Sequence, residues 1–181
     1  MLVYCHANLI KNCVYLRMII SLTGFMGCGK TTVGRIVADA LGCPFFDLDD
    51  IVVKKAGKDI PAIFVEDGEL AFRVLEADCL KSFIKKYAQS TTVLALGGGT
   101  LQNASSAKLI KEKTFCIYLQ ASTEALKQRL SNSTGRPLAY GDWQQLLEKR
   151  LATYESTAVI TLDTDGLSPE QIADEIIIDC L

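Results

Sequence analysis

Gly24-Phe25-Met26-Gly27-Cys28-Gly29-Lys30-Thr31 is the stretch on which the fold turns. It fits the pattern G-x-x-x-x-G-K-[ST], and the pattern has a mechanism. Glycines let the backbone curl until successive N–H groups point at phosphate oxygens. The helix that follows offers unpaired N–H groups and the positive end of its dipole to the same anion. On this reading Gly27, Cys28, Gly29, Lys30, Thr31 and Thr32 line a nucleotide phosphate site. Lys30 reaches the β- and γ-phosphates, and Thr31 offers a hydroxyl to Mg²⁺. Such a loop needs a strand before it and a helix after it. An apolar strand at 19–23 leads in, and an amphipathic helix at 31–41, ending at Gly42, leads out.

Further along, strand and helix signals alternate, the pattern of a parallel sheet covered by helices. Strands are expected at 44–47, 92–96, 115–119 and 159–162. Helices are expected at 49–56, 69–87, 104–112 and 143–155, from a Ser122 cap to Leu130, and after Ser168-Pro169. In the longest of these, Phe72, Leu75, Cys79, Leu80, Phe83 and Ile84 share one face. The polar run 131–141, with its Gly and Pro, reads as a mobile segment. No repeat, low-complexity tract or linker divides the chain, so a single domain over 18–181 is expected. Residues 1–17 hold Lys11 and Arg17 but no acid, and no charged head precedes an apolar block. They read as an N-terminal extension dispensable to the working domain, and not as a secretory signal.

The 181 residues suit one α/β domain, and 49% hydrophobic content is ample for its core. A formal net charge of −2 lacks the footprint of a nucleic-acid binder, so an anionic ligand must be met by locally placed cations. No apolar run approaches the roughly 18 residues of a membrane-spanning helix. Seven scattered cysteines, without a Cys-x-x-Cys pair, argue against a disulfide framework and a zinc site. They suit buried thiols in a reducing cytoplasm. Cys28 has two readings. A helix N-terminus and the Lys30 ammonium favour a reactive thiolate. Alternatively, the position accepts any small side chain.

Four further groups bear on an acceptor. Asp47 and Asp49 alternate along what reads as an extended strand end, so they point to different sides. One can face Mg²⁺ through water and the other an acceptor hydroxyl. The plainer alternative is that Asp49 or Asp50 caps a helix, and Asp50 is read that way. Gly97-Gly98-Gly99 ends a strand, where three residues without Cβ let a ligand lie against backbone N–H groups. Glu76 stands one helical turn after Arg73 and is spaced to orient it. Arg136, in the polar run near a phosphate loop, suits a cis-acting arginine finger.

After the octapeptide come Phe46-Asp47-Leu48-Asp49, Asp67-Gly68-Glu69, Phe72-Arg73, Glu76, Gly97-Gly98-Gly99 and Arg136-Pro137-Leu138. In this order and spacing they resemble the shikimate kinase family over about residues 18–178. The resemblance implies a three-layer α/β/α P-loop kinase fold of the nucleoside-monophosphate-kinase type, with five parallel strands in the order 2-3-1-4-5 and a mobile lid over about 131–141. It implies ATP as co-substrate, a single Mg²⁺, a small carboxylated polyol as acceptor, and a monomer acting in the pathway to chorismate and the aromatic amino acids. It makes Lys30, Asp49 and Arg136 catalytic, with Asp49 the base, and Thr31 and Asp47 metal-side. Arg129 lies over adenine, and Arg73 and Arg150 pair with the acceptor carboxylate beside Gly97, Gly98 and Gly99. The family's Pro two residues after Arg150 is replaced by Ala152, and the loop 163–169 lacks the Arg often found there. The rival readings are a gluconate-type or nucleoside-monophosphate kinase and a non-catalytic nucleotide-binding regulator.

Overall fold

Ile19–Thr23 forms β1, and all five residues are buried. In the computed structural model, which describes residues 17–131 and 143–180, four more strands join it. They are β2 (Phe45–Asp47), β3 (Thr92–Ala95), β4 (Phe115–Gln120) and β5 (Ile160–Asp163). All pairings are parallel and the order is β2-β3-β1-β4-β5, as the sequence leads one to expect. Parallel strands covered on both faces must be apolar throughout, and β3 is fully buried while β4 is buried along its middle. At the edge, β5 instead alternates half-buried Ile160 and Leu162 with exposed Thr161 and Asp163.

Eight α-helices are found among the described residues: α1 (Lys30–Leu41), α2 (Leu48–Ala56), α3 (Ile60–Glu66), α4 (Gly68–Tyr87), α5 (Ala104–Lys113), α6 (Thr123–Ser131), α7 (Trp143–Thr157) and α8 (Pro169–Cys180). α1 packs on α8, while α4, α5 and α7 follow one another in contact. The helix pattern read from the sequence appears with ends shifted by one or two residues, but α3 is absent from it. Seven residues are too few to show a period. Its start signal is nonetheless present: Asp59 accepts from the Ala62 N–H at 2.8 Å, and Pro61 sits in the first turn.

The second difference lies at the end of β2. Asp47 and Asp49 do not alternate along an extended chain. Asp47 is the N-cap of α2, its Oδ1 accepting the Asp49 N–H at 3.1 Å, and Asp49 already lies in the helix. The unpaired N–H groups of a helix start attract the first available carboxylate, and that carboxylate is Asp47 rather than Asp49 or Asp50. The extension 1–16 and most of the lid run 131–141, with Arg136, lie outside the described residues.

Candidate active site

β1 runs straight into the phosphate loop. Gly24 has φ +139°, and a Cβ there would stand 2.6 Å from the Leu119 carbonyl oxygen, so both conformation and space demand glycine. Gly29, at φ +102°, serves as N-cap of α1 with no side-chain cap hydrogen bond. The first N–H groups of α1 are therefore left for a ligand. Lys30 arches back over the loop: its Nζ donates to Gly24 O at 2.8 Å and Phe25 O at 3.0 Å. Thr32, in the same first turn, is exposed.

Cys28 is 2% exposed, its Sγ lying 3.7 Å from Lys30 Nζ and against Gly24. A helix N-terminus activates a thiol that solvent and reagent can reach. The buried sulfur fits the reading as a small packing side chain, and the Cys28 N–H donates to Phe25 O at 3.3 Å within the loop. Of the other described cysteines, Cys79, Cys116 and Cys180 are buried and Cys43 half-buried. Burial pushes the Cys116 thiol up to about 11.

Thr31 and Asp47 meet where α1 leaves the loop. The Thr31 hydroxyl donates to Asp47 Oδ2 at 2.9 Å, so one carboxylate joins α1 to the start of α2. Oxygen donors of this kind suit a hard divalent cation.

The triple glycine after β3 makes room for three different groups. A Cβ on Gly97 would stand 2.8 Å from Asp49 Oδ1 and 3.0 Å from Glu76 Oε1. One on Gly99 would strike Arg73 Nη2 at 2.5 Å. One on Gly98 would meet only ordinary contacts, Arg150 Nη1 and the Met26 N–H nitrogen at 3.6 Å and Gly24 O at 3.7 Å. The side chains missing at Gly97 and Gly99 thus leave space for Asp49, Glu76 and Arg73 of the protein itself, a reason the sequence reading did not include. Gly98 lies between the phosphate loop and Arg150.

Arg73 is held flat. Its Nη1 donates to Glu76 Oε2 at 2.8 Å, its Nη2 lies 3.3 Å from Glu69 Oε1, and the guanidinium covers the Phe72 ring at 5.0 Å. Arg150 is 9% exposed and donates from Nη1 to Gly98 O at 3.1 Å. Its Nε is buried without a hydrogen-bond partner among the described residues. A buried orphan donor on a cation invites an anion. Tyr154, one turn on and fully buried, donates its hydroxyl to the same Gly98 carbonyl. Burial raises its phenol pKa, so it stays a donor throughout the working range.

On the nucleotide side, α6 leans on the loop, with Leu130 Cδ2 3.3 Å from where a Gly27 Cβ would be. Arg129, near the end of α6, donates to Thr164 Oγ1 and to Thr164 O, both at 3.1 Å. That ties α6 to the 163–166 loop. Asp50 is exposed and makes no part of this arrangement. Sequence reasoning singled out Lys30, Thr31, Asp47, Asp49, Arg73, Glu76, the glycines, Arg129 and Arg150. It missed Tyr154 and Thr100. The signal for Tyr154 is its i,i+4 spacing from Arg150; for Thr100 it is only adjacency to the glycines.

A family model described as shikimate kinase matches residues 26–181. The chain belongs to the shikimate kinase family. The shikimate kinase of Thermodesulfovibrio yellowstonii is 39% identical over 163 residues, covering 87% of this chain and 92% of that one. The shikimate kinase of Enterococcus faecalis is 40% identical, covering 87% of this chain and 95% of its own length. A solved shikimate kinase from Acinetobacter baumannii, in complex with shikimate, superposes with a TM-score of 0.84 at 33% identity, over 93% of this chain and 94% of that one. The family's phosphotransfer fold accounts for the sheet order, and kinases of this family use ATP as co-substrate.

Proposed function

We propose that this chain transfers the γ-phosphoryl group of ATP to the 3-hydroxyl of shikimate, giving ADP and shikimate 3-phosphate on the way to chorismate and the aromatic amino acids. The observation that carries the reading is the convergence of two acids, Asp49 and Glu76, and two arginines, Arg73 and Arg150, on a triple-glycine turn whose middle residue also borders the phosphate loop. Two guanidinium groups suit a carboxylate, since the planar fork matches its two oxygens. Arg73 and Arg150 hold that carboxylate and so fix the ring, and the acceptor hydroxyl faces Asp49. The hydroxyl oxygen bonds to the γ-phosphorus as the bond to the bridging β–γ oxygen breaks, its proton passes to Asp49, and ADP leaves with the electron pair. The transition state is loose, so placing and charge matter more than base strength. Lys30 exchanges its loop carbonyls for phosphate oxygens, and Arg136 from the lid run adds a second positive charge.

Thr31 and Asp47 are the residues that would hold Mg²⁺, and their oxygen-only donor set fits it. When bound, Mg²⁺ neutralises charge on the β- and γ-phosphates. Arg129, anchored on Thr164, supplies the guanidinium face for adenine. A monomer in a cytoplasmic setting goes with this reading, and the mostly buried thiols of the described residues suit that setting. No helix among the described residues is long and apolar enough to cross a membrane.

A coupled ADP-release assay with shikimate, gluconate and nucleoside monophosphates tests the reading. Turnover with shikimate is expected. Turnover with another acceptor alone identifies one of the rival kinases, and none with any acceptor supports a non-catalytic nucleotide-binding protein. A chain beginning at Met18 is expected to stay soluble and fully active in this assay, because every group named lies beyond it. An insoluble or inactive product would show that residues 1–17 pack on the domain.

Gly98→Ala gives a sharper local test. The protein accommodates the added methyl without a close contact, so the fold and Tm are expected to hold. The methyl nevertheless stands between Arg150 and the phosphate loop, in the space assigned to the acceptor. A displacement well under an ångström is expected to lower kcat/KM about tenfold. An unchanged kcat/KM would place the acceptor elsewhere.

A further inference from the structure

We propose that Thr100 is a positioning residue of the acceptor site, its hydroxyl holding the Glu76 carboxylate that in turn presents Arg73. The inference rests on the reading of Arg73 as a ligand of the acceptor carboxylate. Thr100 follows the triple glycine, opens a single 3₁₀ turn (Thr100–Gln102), and is fully buried. Its N–H donates to Gly97 O at 3.1 Å, which ties its backbone to the glycine turn. Its Oγ1 donates to Glu76 Oε1 at 2.6 Å.

Glu76 is 2% exposed, so its carboxylate is held by protein groups rather than by bulk water. Its two oxygens have separate partners, Oε1 on Thr100 and Oε2 on Arg73 Nη1. A carboxylate anchored at one oxygen can still swing, whereas one anchored at both has a fixed plane. That plane sets the plane of the guanidinium over Gly99.

The surroundings give the hydroxyl a second reason to be there. The position of a Gly97 Cβ lies 2.8 Å from Asp49 Oδ1, 3.0 Å from Glu76 Oε1 and 3.1 Å from Thr100 Oγ1. Two carboxylate oxygens therefore approach the same small space, and a donor bound to one of them offsets their repulsion. Without it, Glu76 loses its anchor on the side that faces Asp49. Glu76 then moves, and Arg73 moves with it.

The test is steady-state kinetics on Thr100→Val, Thr100→Ser and both in an Arg73→Lys background, with shikimate and ATP each varied. Thr100→Val keeps the shape and removes the donor. It is expected to raise the KM for shikimate about tenfold, the size of a lost hydrogen bond to a charged group, and to leave kcat and the KM for ATP within about twofold. Thr100→Ser restores the donor and is expected to match the parent protein. In the Arg73→Lys background Thr100→Val is expected to add less than about twofold, since both changes act on one contact. An unchanged shikimate KM in Thr100→Val, an equal loss against ATP, or a full multiplicative effect in the Arg73→Lys background would each overturn the proposal. If Thr100→Val does not fold, Thr100→Ala is read against Thr100→Ser by the same criteria. Failure of the underlying reading shows separately, as an unchanged shikimate KM in Arg73→Lys alone.

Discussion

Replacing Asp49 with Asn is expected to lower kcat by about 10²–10⁴, the usual size of a general-base effect, while ATP binding stays intact. Asn has the shape of Asp, so the side chain keeps its place in the first turn of α2 and beside Gly97. The capping hydrogen bond of α2 uses the Asp49 backbone N–H and the Asp47 side chain, neither of which the substitution touches. The phosphate loop, Lys30 and the Thr31–Asp47 bond are likewise outside its reach. What changes is the proton acceptor, together with the negative charge that Asp49 brings to the space it shares with Glu76 beside Gly97. Because phosphoryl transfer is loose, part of the rate comes from placing the hydroxyl, and Asn retains some of that. The fall is therefore expected within the stated range rather than beyond it. Steady-state turnover, with nucleotide affinity measured separately by titration, checks the split. Near-normal kcat would remove Asp49 from the role of base.

Why most of the fold could be read in advance is plain from β1, β3 and β4. Each is a short apolar run bounded by turn signals, and each precedes a loop whose residues have a chemical reason to be there. Parallel strands buried on both faces and helices with one apolar face leave two separable periods in the sequence. α3 escapes because its seven residues carry less than two full turns. Its cap and its proline were the only signs of it.

The sequence signal for the site was clearest where one residue type has one mechanism, as for Lys30, Thr31 and the glycines of the phosphate loop. It was less legible where a residue acts through another. Only adjacency to the glycines marks Thr100, whose partner Glu76 lies 24 residues away in sequence. Asp47 shows a different limit. A carboxylate at the boundary of a strand and a helix serves both neighbours, and alternation along a strand predicts only one of them. The triple glycine was read as space for a ligand, yet much of that space is taken by Asp49, Glu76 and Arg73. Close approach between side chains distant in sequence becomes visible only once the chain is folded.

Arg73→Lys is expected to raise the KM for shikimate by about 10- to 100-fold although the positive charge is kept. The scale follows from a hydrogen bond to a charged group, worth about 1.5–3 kcal/mol. In the present arrangement one guanidinium does several things at once. It donates to Glu76 at 2.8 Å, lies over Phe72, and fills the space left by Gly99. A planar fork can keep Glu76 on one nitrogen and turn other N–H groups to a ligand carboxylate. A lysine ammonium is a compact point charge, and it cannot span Glu76 and the ligand in one plane. Glu76 is buried and has few other partners, so it competes with the ligand for that ammonium. The loss therefore falls on acceptor binding. The KM for ATP and the thermal midpoint are expected to move little, since charge and packing volume are nearly preserved. Measuring both KM values and Tm on one preparation decides the matter. An unchanged shikimate KM would show that the acceptor carboxylate is held by Arg150 alone, and that the Arg73–Glu76 pair serves α4 rather than the ligand.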